Sequence, residues 1–299
     1  MWQSMSALPE TNPHPLPVKT ALLIGQDPDI EGLLRRVLSP RSWTFQQVSD
    51  NAAALLLAQK RSFDLILTNQ KTSGQEDIEL LRKIRRVRPH TRLIILTPEG
   101  TPVDVIESMR ERAFSYFSGP FSMDALAAII SMAIDGPCWD DGIEVISATS
   151  EWIRLLVRCD LKSVERVLQF LDEYAELPDP ERHDVAVASR EMLLNAIEHG
   201  GNFDPTERVE IGYVRARHMV TCRISDPGPG FTLDEIPHAS VANPPDDPIR
   251  HLSYREAQGM RPGGFGVLLT QALVDDLIYS QDGNEVILVK YIGKVGEKS

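Results

Sequence analysis

Between Lys19 and Gly136 five short apolar runs alternate with five amphipathic stretches, and that alternation restricts the fold more than any other feature of the chain. The runs are Ala21–Ile24, the weaker Trp43–Val48, Phe63–Thr68, Arg92–Thr97 and Phe114–Phe117. The helical stretches are Ile30–Leu38, Ala52–Lys60, Ile78–Val87, Val103–Arg112 and Met123–Ile134. Strand and helix in strict alternation predict a parallel sheet covered on both faces. The usual strand order for five such units is 2-1-3-4-5, with functional groups at the strand carboxyl ends.

The pattern changes after Asp135. Residues 136–142, within the Gly-, Pro- and Asp-rich run DGPCWDDG, read as a linker. Beyond it come strands at Ile143–Ser147 and Trp152–Val157, and helices at Leu161–Tyr174 and Glu181–His199. Strands at Arg208–Val214 and Met219–Ser225 follow, then a helix at Val267–Leu277 and a strand at Glu285–Tyr291. Segregation of this kind predicts an α+β two-layer sandwich. The expected organisation is a loose tail over 1–17, which holds four prolines, a flavodoxin-like domain over 18–135, and a second domain over 143–293. A length of 299 residues suits two cores rather than one.

The formal net charge of −12 disfavours nucleic acid and anionic lipid as partners. The apolar run Ala125–Ile134 is roughly half of what a membrane span needs, and no signal-peptide pattern opens the chain. Cys138, Cys159 and Cys222 lie far apart, which argues against a disulfide framework or zinc site and suits a reducing cytoplasm.

Three segments of the second half carry nucleotide chemistry, and no GxxxxGK[ST] phosphate loop occurs. In Glu191-Met-Leu-Leu-Asn195-Ala-Ile-Glu198-His199-Gly200, Glu191 and Asn195 are four apart and share a helix face. An amide oxygen suits Mg²⁺, which takes few protein ligands, and a neighbouring Glu can accept a proton. In Ser225-Asp226-Pro-Gly228-Pro-Gly230, a carboxylate at a strand end can accept the amino hydrogens of adenine. In Arg261-Pro-Gly263-Gly264-Phe-Gly266-Val267, glycines before a helix expose backbone N–H groups to an anion. Arg261 and Arg255 can add positive charge there.

The first half resembles the receiver domain of bacterial response regulators, in FDLILTNQKTSGQEDIELLRKIR (Phe63–Arg85), Leu93–Thr97 with Pro98, and AFSYFSGPF (Ala113–Phe121). The family holds Mg²⁺ with an acidic pair after its first strand, phosphorylates an Asp after the third, and uses a Lys after the fifth. Here Gly25 and Gln26 replace the pair, Asn69 replaces the acceptor, and Gly119 replaces the Lys, while Thr97 is retained. Asp27, one position late, reads as a helix-start residue. The resemblance therefore implies a receiver shape without phosphoacceptor chemistry, serving protein contacts. Tyr116 occupies the family's switch-aromatic position.

The second half, from about Ile143 to Ile292, resembles the GHKL (Bergerat-fold) ATPases, and EMLLNAIEHG is most similar to the anti-sigma factor serine/threonine kinases of partner-switching systems. The resemblance implies that Asn195 ligates Mg²⁺, Glu191 is the catalytic base and Asp226 reads adenine. It also implies that Gly228 and Gly230 begin an ATP lid over Phe231–Pro262, and that Gly263, Gly264 and Gly266 hold phosphates. Asn284 stands where that family often has a Thr beside adenine. The implied activity is transfer of the γ-phosphoryl of ATP to a Ser or Thr of a partner, typically a STAS-type anti-sigma factor antagonist. A sigma factor is a second implied partner, and a homodimer is left open. One alternative is a non-catalytic ATP-dependent binding switch or scaffold. Another is a histidine kinase, for which His183 lies only eight residues before Glu191 with no dimerisation hairpin upstream.

Overall fold

The computed structural model describes residues 18–68, 71–135, 142–230, 256 and 265–293. In the first half, β1 (Lys19–Ile24), β2 (Trp43–Val48), β3 (Leu65–Leu67), β4 (Arg92–Thr97) and β5 (Ser115–Ser118) form one parallel sheet. Its order, β2-β1-β3-β4-β5, is the expected one. Helices α1 (Pro28–Val37), α2 (Asn51–Lys60), α3 (Gly74–Val87), α4 (Pro102–Arg110) and α5 (Met123–Ile134) connect the strands. Every residue of β3 and β4 is buried, because helices cover both faces of a parallel sheet and leave no polar side. Each helix starts on a side-chain cap, at Asp27, Asp50, Ser73, Thr101 and Ser122 in turn. Asp27 is thus spent on the amides of Asp29 and Ile30.

The basic stretch around Arg82 is tied to acidic neighbours. Its guanidinium reaches Glu79 at 2.6 Å, Glu107 at 3.2 Å and Glu111 at 2.7 Å, pinning α3 to α4.

The second half is a six-stranded antiparallel sheet in the order β10-β11-β9-β8-β7-β6. The strands are β6 (Ile143–Ala148), β7 (Trp152–Arg158), β8 (Arg208–Ala216), β9 (Met219–Ser225), β10 (Asp276–Tyr279) and β11 (Glu285–Tyr291). Helices α6 (Leu161–Ala175), α7 (Asp179–Asn195) and α8 (Gly266–Leu273) complete it. Period-two burial sends Ile153, Leu155 and Val157, with Val209, Ile211 and Tyr213, into the core beneath the helices. The other face carries an ion-pair ladder from Arg154 to Glu210 to Arg223 to Glu285.

Two expectations are corrected here. The helix expected over Val267–Leu277 ends at Leu273, and Asp276–Tyr279 is a strand paired with β11. Leu277 and Tyr279 are half-buried while Asp276 and Ile278 are exposed, the period of a strand. The helix expected to run to His199 is α-helical only to Asn195, and Ala196–Gly200 forms a π-helical turn.

The two halves meet at α6, which is buried on more than one side. Arg166, Gln169 and Glu173 form one stripe that faces the first domain, where β5 is the edge strand. Arg166 donates from Nε to the Phe114 carbonyl (2.9 Å), and its guanidinium carbon lies 4.7 Å from the Phe114 ring centroid. Gln169 donates to the Tyr116 carbonyl (3.5 Å). The Glu173 carboxylate accepts the Ser118 amide (3.0 Å) and, more closely, its hydroxyl. Side chains of α6 thus satisfy the backbone of a strand edge that would otherwise be open.

Candidate functional site: a glycine-lined cleft at the end of helix α7

Helix α7 buries Val185, Ala188, Ser189, Met192 and Leu193 toward the sheet. That leaves Glu191 and Asn195, both half-buried, one turn apart on a flank. Against this flank lies the first turn of α8. A Cβ placed on Gly266 would stand 2.8 Å from Glu191 Oε2 and 3.7 Å from Asn195 Nδ2. A side chain at Gly266 would press on the free end of Glu191 and displace its carboxylate. Lys290 fixes the arrangement from behind, donating to Asp184 on α7 and to the Leu273 carbonyl at the end of α8, each at 2.6 Å.

The π turn carries the chain from Asn195 to Gly200, and there it meets the second segment. A Cβ on Gly200 would collide with the Asp226 carboxylate, and one on Gly228 would come 2.7 Å from the Gly200 Cα. Asp226 therefore stands in a slot between two glycine backbones, just past the end of β9. Its Oδ1 accepts the Gly228 amide at 2.9 Å, and its own amide donates to the Asn284 carbonyl at 3.0 Å. Burial pushes the Asp226 carboxyl above its ordinary value, and the Gly228 amide opposes this only in part. Gly230 adopts φ +80° against the Asp282 backbone, a conformation and a closeness open only to glycine.

Chemically, the π turn joins two groups of residues. One offers a carboxylate and an amide on a rigid helix. The other offers a half-buried carboxylate that accepts hydrogen bonds between walls without side chains, a fit for a flat heterocycle with an amino group. Among the described residues no group of three His, Cys, Asp or Glu side chains is placed to hold a metal ion. A cation here would draw most of its oxygens from a ligand and from water, with the Asn195 amide as the protein's share. The residues present fit a purine nucleotide with Mg²⁺.

The structure thus brings Gly266 against Glu191 and Asn195, and Gly200 and Gly228 against Asp226, while Gly230 lies on the Asp282 backbone. Arg261, Gly263 and Gly264, nearly all of the span Phe231–Pro262, and Asn69 lie outside the described residues. Gly200 escaped the sequence reading as a site residue, although it closes the expected helix segment. Arg190 was missed as well: it bridges Glu165 on α6 (2.7 Å) and approaches Glu191 Oε1 (3.9 Å). His183 is exposed on the same helix, near the Asp184–Lys290 pair.

In the first half, the carboxyl end of the parallel sheet is held by internal bonds. The Thr97 hydroxyl bonds to the carbonyls of Thr72 (3.3 Å) and Glu99 (2.8 Å). Tyr116 is fully buried, its ring wedged beside Gly74 and Gly100.

Residues 157–290 match the model of the histidine kinase-like ATPase domain, and residues 21–131 match the response regulator receiver domain. The chain joins a receiver domain to a GHKL-type ATPase domain. The ATPase part is 31% identical over 112 residues to the serine-protein kinase RsbW of Oceanobacillus iheyensis, covering 37% of this chain and 66% of that protein. It is 27% identical to RsbW of Listeria monocytogenes, again over 37% of this chain and 66% of the relative. The receiver part is 28% identical to the sporulation initiation phosphotransferase F of Bacillus subtilis, covering 35% of this chain and 85% of that protein. A solved receiver domain from Methanospirillum hungatei is 22% identical with a TM-score of 0.34, covering 40% of this chain and 94% of that one. The chain thus spans just under two thirds of the RsbW relatives' length. Among the described residues no helix is long and apolar enough to cross a membrane.

Proposed function

We propose that this receiver–ATPase chain is an ATP- and Mg²⁺-dependent serine/threonine protein kinase of the anti-sigma type, acting in the cytoplasm on a protein partner. The observation that carries the proposal is the approach of Gly266 to Glu191 and Asn195, with Asp226 packed against Gly200 and Gly228 where the same chain segment ends. The likeness to the RsbW kinases supports the same reading.

In this reading Asp226 accepts the adenine amino group, which orients the base and runs the phosphates along the π turn toward α8. The first-turn amides of α8, at Gly266 and just before it, face the phosphate oxygens. Asn195 would hold Mg²⁺ through its side-chain oxygen, and the bound ion would supply neutralisation of phosphate charge. Glu191 takes the proton of the partner's Ser or Thr hydroxyl. The hydroxyl oxygen bonds to the γ-phosphorus, the bond from that phosphorus to the bridging oxygen breaks, and ADP departs. Positioning and charge supply most of such a reaction, which suits a site with one base and no nucleophile of its own.

The partner in this proposal is a STAS-type antagonist, with a sigma factor as the protein released or held. The receiver domain is a protein-contact module that accepts no phosphate, since Gly25, Gln26 and Gly119 stand at the positions of its acidic pair and Lys.

The test is incubation of the full chain with ATP, Mg²⁺ and a candidate antagonist, beside Glu191→Gln. Phosphoserine or phosphothreonine on the antagonist, lost in the variant while ATP still binds, supports the kinase. An antagonist that is bound and released with ATP but never gains phosphate leaves the non-catalytic switch instead.

A further inference from the structure

Helix α6 serves two masters. Toward the receiver, Arg166, Gln169 and Glu173 (i, i+3, i+7) reach Phe114, Tyr116 and Ser118, alternate backbone positions along the β5 edge. Both Arg166 and Glu173 are nearly inaccessible, 4% and 8% exposed, so this contact is a sealed seam rather than a surface touch. Toward the ATPase core, Glu165 pairs with Arg190 (2.7 Å) and Asp172 with Arg182, both on α7. Arg190 is the residue beside Glu191, and its guanidinium also lies 3.9 Å from that carboxylate. One helix therefore connects the receiver's edge strand to the helix that presents Glu191 and Asn195.

Between α6 and α7 the packing is incomplete. A cavity there is lined by Leu171 and Ala175 of α6, Val185 and Ala186 of α7, and Tyr213 of β8. Ser189 of α7 and Tyr213 are among its lining residues and bring hydroxyl groups to it. Close-packed interfaces resist displacement, and a void between two helices lets one shift slightly against the other. The side of α6 that is bonded throughout is the one facing the receiver.

We propose that α6 is the coupling element of this chain: docking of the receiver's β5 edge on Arg166, Gln169 and Glu173 holds α6 against α7 in the arrangement that binds nucleotide, so loosening that seam weakens nucleotide binding. The proposal rests on the nucleotide reading of the cleft given above. It makes the receiver an internal regulator of the ATPase site, acting through a contact rather than a phosphate. Anything that bends the β5 edge, such as a partner on the receiver, would be felt at Glu191. Because coupling is reciprocal, nucleotide must also tighten the seam.

The test uses the full chain. Arg166→Met with Gln169→Met keeps the apolar bulk and removes both donors to the β5 carbonyls. ATP with Mg²⁺ is titrated calorimetrically into wild type and variant, with circular dichroism as the fold control. The account expects the variant's Kd to rise about fivefold or more. A folded variant that binds within twofold of wild type overturns the coupling. The second measurement needs no variant: amide exchange of Ser118, whose N–H donates to Glu173, is followed in wild type with and without ATP. Exchange slowed about fivefold by ATP supports the coupling, and an unchanged rate overturns it. A wild-type chain that binds no ATP contradicts the nucleotide reading itself, and the coupling falls with it.

Discussion

Gly266 stands so near Glu191 that a Cβ on it would come 2.8 Å from the carboxylate oxygen Oε2. The threatened atom is the free end of a flexible side chain, so a methyl group there moves the carboxylate and leaves the helix intact. Gly266→Ala is therefore expected to hold or raise stability, by up to about 1 kcal/mol from helix propensity. Phosphoryl transfer falls by about 10²-fold, the lower range of what a positioned base contributes. Thermal denaturation and a transfer assay on one preparation separate the two effects. A parallel loss of stability and activity would contradict this geometry.

Asp226 is half-buried, with its carboxylate packed against Gly200 and accepting the Gly228 amide. Asp226→Asn is expected to weaken ATP binding by about 1–3 kcal/mol, the scale of one buried polar contact left mismatched. The pH dependence follows from the direction of its shift. Burial raises the carboxyl above the ordinary value of 3.8, so the acceptor is complete only above that raised value. ATP affinity should decline on acidification at a higher pH than an exposed aspartate would give, and Asp226→Asn should lack that part of the profile.

Glu173 gives a pH dependence of stability. Burial, reinforced by Asp172, lifts its carboxyl from 4.5 to about 7, against the opposing pull of the Ser118 bonds and Arg182. The folded chain binds this proton more tightly than the unfolded chain, so its contribution to stability falls as pH rises from about 4.5 through about 7. The whole span is worth up to about 3 kcal/mol at 1.36 kcal/mol per unit. Glu173→Gln keeps an acceptor for Ser118 without the charge. Its melting temperature should exceed wild type at pH 8 and match it near pH 5. Equal pH profiles for the two proteins would argue that Glu173 is solvated.

Restoring one residue should not restore a phosphoacceptor in the receiver. Asn69→Asp alone is expected to remain unlabelled by acetyl phosphate with Mg²⁺, since Gly25, Gln26 and Gly119 still supply no carboxylate pair and no Lys. Gly25 has φ +82°, so a carboxylate placed there also meets backbone strain. Mass spectrometry of the intact protein reads the outcome. Labelling of the single variant would contradict the account of the degenerate site.

The parallel sheet was legible because each of its strands is a separate apolar run between amphipathic helices, and the order β2-β1-β3-β4-β5 follows from that alternation. The approach of Gly266 to Glu191 and Asn195 follows the order of the three motifs, which sets a glycine-opened helix beside the ExxxN helix. Other features left no readable trace. The first two residues of the strand Asp276–Tyr279 read as the end of the preceding helix, because Leu268, Leu269 and Leu273 run into Leu277 without a glycine or proline between. The π turn at Ala196–Gly200 adds one residue per turn and needs no distinctive composition. The seam at α6 was hidden for a deeper reason. Arg166, Gln169 and Glu173 look like the polar stripe of a solvated face, and only the presence of β5 turns that stripe inward.

The measurement that bears most directly on the central claim is calorimetric titration of ATP into the full chain, with and without Mg²⁺, beside Asp226→Asn and Asn195→Ala. The account predicts binding by wild type that strengthens with Mg²⁺, loss of affinity in Asp226→Asn at either Mg²⁺ level, and loss of only the Mg²⁺-dependent part in Asn195→Ala. A well-folded wild-type chain that takes up no ATP at millimolar concentration would contradict it.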